Sequence, residues 1–308
     1  MSEAGTLRSL HRLESRLLDE DAWGGLRRDL QRGLWREDKL GEGLTIVIPN
    51  WNHRLYLPRA IHSALQGLKR LEEEGLSGEI IVIDDASRDG SQKLLRSIQM
   101  LYAESRLKTL FLARNLGLPR VRNLGLQMST YRHVCLMDAD NELVADNLPL
   151  FLQSIIETDA ALVHGNLLYK EGEQIIQLLS GRVANLRLTD RNYIDAFALV
   201  EATELLKLGG FVSDPRLYGY EDWEMLLNLI FEEKKVVFVP AAMGYYYRNP
   251  RSMLEETVQT SEEQKARTPA AETESLVWRM FAQSGSREWD PMQVGHIYHP
   301  AVGYIDQC

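Results

Sequence analysis

Cysteine is scarce in this 308-residue chain, with Cys135 and Cys308 the two present. Two thiols, one of them inside an apolar run, make no disulfide framework; a reducing cytoplasm is the expected compartment, with the protein at most peripheral to a membrane. No apolar run approaches the roughly eighteen residues that span a bilayer, and the first residues lack the apolar centre of a secretory signal. Basic charge is in deficit, 44 Asp and Glu standing against 35 Lys and Arg for a net charge of −9. That balance argues against a general nucleic-acid binder. Internal repeats and long low-complexity segments are also missing. What remains is an ordinary globular composition, 44% hydrophobic and 26% charged, long enough for one large domain with appendages or for two ordinary ones.

The organising stretch is His133 to Leu143, HVCLMDADNEL, an apolar run that stops at Asp138, Asp140 and Asn141. Such a run reads as a buried strand delivering carboxylates to the ligand-binding edge of an α/β sheet. Two aspartates one residue apart, here flanking Ala139, can share a divalent cation, and a cation so held can grip a diphosphate. The D-x-D pattern alone is weak, since Asp19, Glu20 and Asp21 repeat it in a charged segment with no strand before it.

Residues 1–42 place Leu7, Leu10, Leu13, Leu17 and Leu18 at helical spacing between mixed charges, which predicts an amphipathic helical arm suited to packing on the main domain or on a partner, including a second copy. Strands are predicted at 44–48, 79–83, 108–112, 160–169, 194–200 and 236–239, besides the 133–143 run. Helices are predicted at 57–74, from about 91 to 103, from the 113–123 loop to about 128, at 146–158 with Asp146 as N-cap, at 202–208, and from about 221 to 233. Strands alternating with helices give a parallel sheet with crossovers. Residues 170–192 read as irregular. The tail after Tyr245-Tyr246-Tyr247-Arg248-Asn249-Pro250-Arg251 reads as a charged helix and a solvated stretch holding His296 and His299.

Polar clusters follow each strand, and each has a plain structural reading beside a functional one. Pro49, Asn50 and Asn52 either line a nucleotide pocket or form a turn. Asp84 and Asp85 can accept hydrogen bonds from a base or ribose, while Ser87 and Asp89 suit a helix cap. Arg114, Arg120 and Arg122 bring guanidiniums to a helix start, for a diphosphate or for surface ion pairs. Glu221 and Asp222 precede an amphipathic helix, as caps or as acid–base groups. Trp223, with Tyr218 and Tyr220, offers rings for a sugar face or for the core.

Five pieces in one order, TIVIPNWN, VIDDASRDGS, ARNLGLPRVRNLGL, LMDADN and GYEDWEM, resemble the family 2 glycosyltransferases of GT-A fold and cover roughly residues 44–253. The resemblance implies an α/β domain at 43–255, a mixed and mainly parallel sheet flanked by helices, between the arm at 1–42 and a C-terminal extension at 256–308. It further implies a nucleotide-sugar donor, a UDP-sugar first among them, a Mn²⁺ or Mg²⁺ cofactor, and transfer with inversion to a hydroxyl of a carbohydrate, lipid-linked or other acceptor. By the family pattern the donor is held by Pro49, Asn50, Asn52, Asp84, Asp85, Asn115, Gly117, Arg122, Asp138, Ala139 and Asp140. The metal falls to Asp140, with Asp138 beside it, the acceptor's proton goes to Asp222 with Glu221 orienting, and Trp223 and Tyr220 stack on the acceptor. Asn249 stands where the family often has a metal-binding histidine, which leaves the cation to Asp140, the diphosphate and water.

Three rivals differ in one feature each. Sugar-nucleotidyltransferases carry a glycine-rich N-terminal loop that TIVIPNWNHR lacks. Processive synthases bring membrane helices and a Q-x-x-R-W motif, neither of which occurs. A non-catalytic nucleotide-sugar-binding module would keep the pocket and lose the turnover.

Overall fold

The computed structural model describes residues 41–102, 106–172, 174–179, 192, 194–213, 219–247, 296–301 and 303–305. The predicted N-terminal arm, Arg248 to Arg251, Tyr218 and most of the C-terminal extension lie outside them. One sheet of eleven strands carries the described chain. Its centre is parallel: β1 (Gly41–Asn50), β2 (Gly78–Asp84), β3 (Leu107–Phe111) and β4 (Tyr131–Leu136), in spatial order β3-β2-β1-β4. All but one or two residues of β1, β2 and β4 at each outer end are buried, so these strands read as continuous apolar runs and not as alternating ones.

Chain order reverses at β1. The chain moves outward through β2 and β3 and returns to place β4 on the other side of β1. Ligand crevices in open α/β sheets open at such a reversal, outside the carboxyl ends of the strands. Asn50, Asp84 and Leu136 are the last residues of the strands that meet there.

Six α-helices are described: α1 (Leu57–Glu73), α2 (Ser91–Leu101), α3 (Leu118–Met128), α4 (Leu148–Thr158), α5 (Ala202–Lys207) and α6 (Glu221–Phe231). Pro58 opens α1, where a missing N–H costs nothing, and Leu57, Ala60, Ile61, Ala64 and Leu71 form its buried face. Gly75 (φ 75°) ends it, with the Leu76 N–H donating to the Leu71 carbonyl at 2.8 Å. Residues of α1 and α4 pack with one face of the sheet in the largest apolar cluster, while α5 and α6 pack in a second.

Outside the parallel centre the sheet turns mixed. β8 (Leu199–Glu201) runs antiparallel to β4, and β6 (Leu162–Glu171) antiparallel to β8. β9 (Val236–Tyr247) lies parallel to β6, and β5 (Glu142–Leu143) pairs with its far end.

Several expectations change here. The strand expected in the 133–143 run is β4, which stops at Leu136 ahead of the aspartate-bearing turn at 137–141, while Glu142 and Leu143 pair separately as β5. Asp146 is no N-cap; it sits in a 3₁₀ turn, Ala145–Asn147, where Arg70 pairs with it at 2.7 Å, and α4 begins at Leu148 with Pro149 in its first turn. Residues 174–179, expected to be irregular, form β7, the return strand of a hairpin with β6 turned at Gly172 (φ 61°). The strand predicted at 236–239 continues through Pro240 because its pairing with β6 slips there, so the proline's missing N–H falls at an irregularity. The supposed solvated stretch with His296 and His299 is β10 (His296–His299), parallel to β9, and β11 (Gly303–Ile305) closes that edge.

Candidate active site

The loops after β1, β2 and β3 are sewn together by side chains. Asn50 donates from Nδ2 to Asp84 at 2.7 Å and to the Ser87 hydroxyl at 3.1 Å, while its carbonyl accepts the Asp85 N–H at 2.8 Å. Asn52, at φ 58°, donates its N–H to Ser87 and accepts from the Arg88 N–H. Asp84 also accepts from the Ser87 N–H and from Gln92, and it is fully buried. Asp84, expected at the nucleotide, is fully buried here and ties Asn50, Ser87 and Gln92 together. Asp89 accepts from the Ser91 N–H and hydroxyl and from the Arg54 N–H, in keeping with the capping reading. Pro49 precedes Asn50 within β1.

Asp85 fixes the third loop. Its two oxygens accept the Leu116 and Gly117 N–H groups at 2.7 and 2.9 Å, and Asn115 donates to its carbonyl at 3.4 Å. Burial raises its pKa, and those two N–H groups act against the rise. Gly117 takes φ 86°, ψ 152°, a backbone conformation that glycine adopts without steric cost, and hands the chain to α3. The Asn115 side chain is exposed at this rim.

Arg122 on α3 is 5% exposed and donates from Nη2 to both oxygens of Asp138, at 3.0 and 3.2 Å. Burial lowers its pKa, but Asp138, Asp222 and Glu221 more than reverse this, so the guanidinium stays charged. One cation therefore faces the acidic turn after β4 and the acidic start of α6. The next residue, Asn123, holds the 209–211 turn by a two-way pair with the Phe211 N–H and carbonyl, both at 2.8 Å. A side chain at Gly210 would fall 2.2 Å from the Asn123 carbonyl oxygen, so the turn needs glycine there.

At the start of α6, Glu221 accepts the Gly219 N–H at 3.0 Å, and Asp222 Oδ1 accepts from the Trp223 N–H at 2.8 Å and from Asn192 at 3.1 Å. Burial raises the pKa of both acids, Arg122 opposing it in each. Asp195, which no sequence pattern singled out, joins them: burial, and then Asp222 and Asp138, push its pKa up to about 7.

Trp223 departs from its expected acceptor role. It is 6% exposed, within the apolar cluster under α6, with its ring 6.0 Å from that of Tyr220. A ring so covered has no face for a sugar. Tyr220 is partly buried against the same cluster.

The turn itself is held from the other side. Arg59 on α1 donates to the Asp140 carbonyl at 2.6 Å and lies 3.4 Å from the centre of the Tyr247 ring, whose hydroxyl is bonded to Glu142. Ala139 and Asn141 are buried within the turn, and no described partner meets either amide atom of Asn141. Among the described residues no group of three or more His, Cys, Asp or Glu is arranged to hold a metal ion. The carboxylate and amide oxygens of this turn are the donor set that suits a hard, oxygen-preferring cation such as Mn²⁺ or Mg²⁺. No described helix is long and apolar enough to cross a membrane.

Residues 45–204 match the family model for glycosyl transferase family 2. The chain belongs to that family. Among curated relatives, the teichuronic acid biosynthesis glycosyltransferase TuaG of Bacillus subtilis (strain 168) is 26% identical over 118 residues, 38% of this chain and 44% of TuaG. The dolichyl-phosphate beta-glucosyltransferase of Dictyostelium discoideum is 30% identical over 99 residues, 32% of this chain and 30% of that protein. The chain thus spans less than half the length of these relatives. Of solved structures, S. aureus TarS 1–349 in complex with UDP-GlcNAc superposes with a TM-score of 0.56 at 17% identity, over 69% of this chain and 60% of that one. The mannosyltransferase PcManGT from Pyrobaculum calidifontis, in complex with GDP-Man and Mn²⁺, gives 0.53 at 15% identity, over 92% and 86%. The family 2 fold here is therefore GT-A.

Proposed function

We propose that this family 2 chain is a metal-dependent, inverting glycosyltransferase that moves a sugar from a nucleoside-diphosphate sugar, a UDP-sugar first, to an acceptor hydroxyl. The observation that carries the proposal is Arg122, one buried guanidinium facing both the Asp138–Asp140 turn and the Glu221–Asp222 helix start. Leaving-group and attacking-group chemistry need such neighbouring but opposed places. TarS complexed with UDP-GlcNAc and PcManGT complexed with GDP-Man and Mn²⁺ support the donor class and the cation.

In this reading Pro49, Asn50, Asn52, Asn115 and Gly117 line the nucleotide pocket, and Asp84 and Asp85 shape it. Asp140 would hold Mn²⁺ or Mg²⁺, which neutralises charge on the departing diphosphate. Asp222 takes the acceptor's proton. Its Oδ1 is fixed by Trp223 and Asn192, and the raised pKa suits a base. The acceptor oxygen forms its bond to the anomeric carbon as the bond to the diphosphate breaks, and the diphosphate leaves with that electron pair. Glu221, anchored by Gly219, orients the acceptor. The catalytic domain is residues 43–255, with 1–42 and 256–308 as appendages, acting in the cytoplasm.

The test is UDP or GDP release from a panel of nucleotide-sugars with Mn²⁺, wild type against Asp222→Asn. The variant should bind the nucleotide as wild type does and turn over on the order of 10²-fold or more slowly. Wild-type binding without turnover for any donor and acceptor would leave a binding module instead. Failure to bind any nucleotide-sugar would sink the transferase reading.

A further inference from the structure

Asp195 lies in a segment that the reaction has not yet used. Strand β8 runs antiparallel to β4 with Cys135 opposite Leu199, and the Leu136 N–H still donates to the Ala198 carbonyl at 3.0 Å. Three residues before Ala198 stands Asp195, which interacts electrostatically with Asp138 of the turn and with Asp222 at the start of α6. Three residues earlier, Asn192 donates to Asp222 at 3.1 Å. Asn192 at the proposed base and Asp195 near the proposed diphosphate turn thus border the space that a sugar joined to one and attacked from the other must occupy.

Within that space Asp195 is held for a purpose other than its own turn. Its Oδ1 accepts the Phe197 N–H at 2.8 Å, which fixes the carboxylate plane, and among the described residues nothing donates to Oδ2. Phe197 cannot drift, because it is 3% exposed and packed so closely on Gly244 that a side chain there would fall 2.2 Å from its ring. Asp138, Asp222, Arg122 and Tyr246 all face Asp195 electrostatically. Arg122 is itself 5% exposed, and its Nε has no partner among the described residues.

We propose that Asp195 is a specificity-determining residue, whose Oδ2 accepts hydrogen bonds from ring hydroxyls of the transferred sugar and which favours neutral hexosyl or N-acetylhexosaminyl donors over uronic acid donors. The inference rests on the transferase reading above. Its chemistry is simple: a sugar hydroxyl donates a hydrogen bond to the Asp195 oxygen, whereas a uronate would bring a further negative charge beside Asp138, Glu221 and Asp222, against which Arg122 is a single positive one.

The experiment uses the full chain with Mn²⁺ as wild type, Asp195→Asn and Asp195→Ser. Both replacements keep an acceptor for the Phe197 N–H and remove the second carboxylate oxygen, and melting curves establish that each is folded. Calorimetric affinities are measured for UDP, UDP-glucose, UDP-GlcNAc and UDP-glucuronate, with GDP and GDP-mannose in parallel. Expected is a UDP affinity unchanged within about twofold, a loss of about tenfold in the affinity that the neutral sugar adds, and a preference over UDP-glucuronate narrowed by about tenfold. Equal losses for UDP and UDP-sugars would mark Asp195 as merely structural and overturn the proposal. So would unchanged affinities and preference in the variants. A wild type that binds no nucleoside diphosphate or its sugar overturns the transferase reading itself, a separate result visible before any variant is compared.

Discussion

Replacing Arg122 by methionine removes a charge that pairs with Asp138 and acts electrostatically on Glu221 and Asp222. The side chain is 5% exposed and meets Asp138 at 3.0 and 3.2 Å. At an effective dielectric constant of about 20, a pair at that separation is worth roughly 5 kcal/mol before desolvation. Asp138, with its side chain 32% exposed, can turn to water once unpaired, which reduces the loss. Glu221 is 5% exposed and Asp222 partly buried at the start of α6, and both would lose their opposing charge. The net expectation is a destabilisation of about 2–4 kcal/mol, within the range for removing one partner of a buried ion pair. Urea unfolding followed by tryptophan fluorescence measures it. Arg122→Lys, which keeps a charge and loses the planar fork, should fall between the two. The same change has a second reading in kinetics. Arg122 holds the Asp222 pKa down, so its removal raises that pKa and moves the acid limb of the turnover–pH profile to higher pH. A methionine variant within about 0.5 kcal/mol of wild type, with an unmoved acid limb, would refute the assignment of Arg122 as the shared cation.

Two further outcomes follow from named groups. Asp85→Asn keeps the shape but can accept from only one of the Leu116 and Gly117 N–H groups, so about 1–2 kcal/mol of stability should be lost and those two amides should exchange faster with deuterated water; unchanged exchange would refute the loop-holding role. His133 and His164 are buried, and burial lowers their pKa values to about 4 and about 3, from an ordinary 6.5. The unfolded chain therefore takes up protons first as pH falls below about 6.5, and each histidine withdraws roughly 2 kcal/mol of stability by pH 5, the loss levelling off below its folded pKa. The acids with raised pKa act in the opposite sense, so wild type and His164→Phe are compared at pH 7 and 5; equal pH dependence in the two would refute the assignment.

The parallel centre was legible because strands buried on both faces are largely apolar, as Ile46–Ile48 and Ile80–Ile83 are. The hairpin return strand Gln174–Leu179 was not, since Ile175, Ile176 and Leu178 are each about half exposed and alternate with nothing. Pro240 concealed the far half of β9 because the slipped pairing that tolerates it is a property of two strands, and a sequence shows one at a time. In the site, the residue types at strand ends were readable, but their partners were not. Asp84 and Asp85 look alike in sequence, yet one binds Asn50, Ser87 and Gln92 while the other shapes the Leu116–Gly117 loop. Trp223 follows two acids at a helix start, where only packing tells a stacking platform from a core ring. Asp195 had a faint local signal, an aspartate two residues before the N–H it accepts, and only the fold brings it toward Asp138 and Asp222.

The pairing of β10 with β9 has a consequence for synthesis. His296 and Ile297 lie against Val237 and Phe238, and Tyr298 is hydrogen-bonded to Glu157 on α4. The ribosome releases β9 well before it makes β10, and at roughly 5–20 residues per second the intervening chain takes several seconds to appear. During that interval the outer edge of β9 stands open to any other nascent strand. The β10–β11 segment is therefore what covers the β9 edge, and a chain cut at residue 255 keeps every proposed catalytic group while exposing an apolar edge to aggregation.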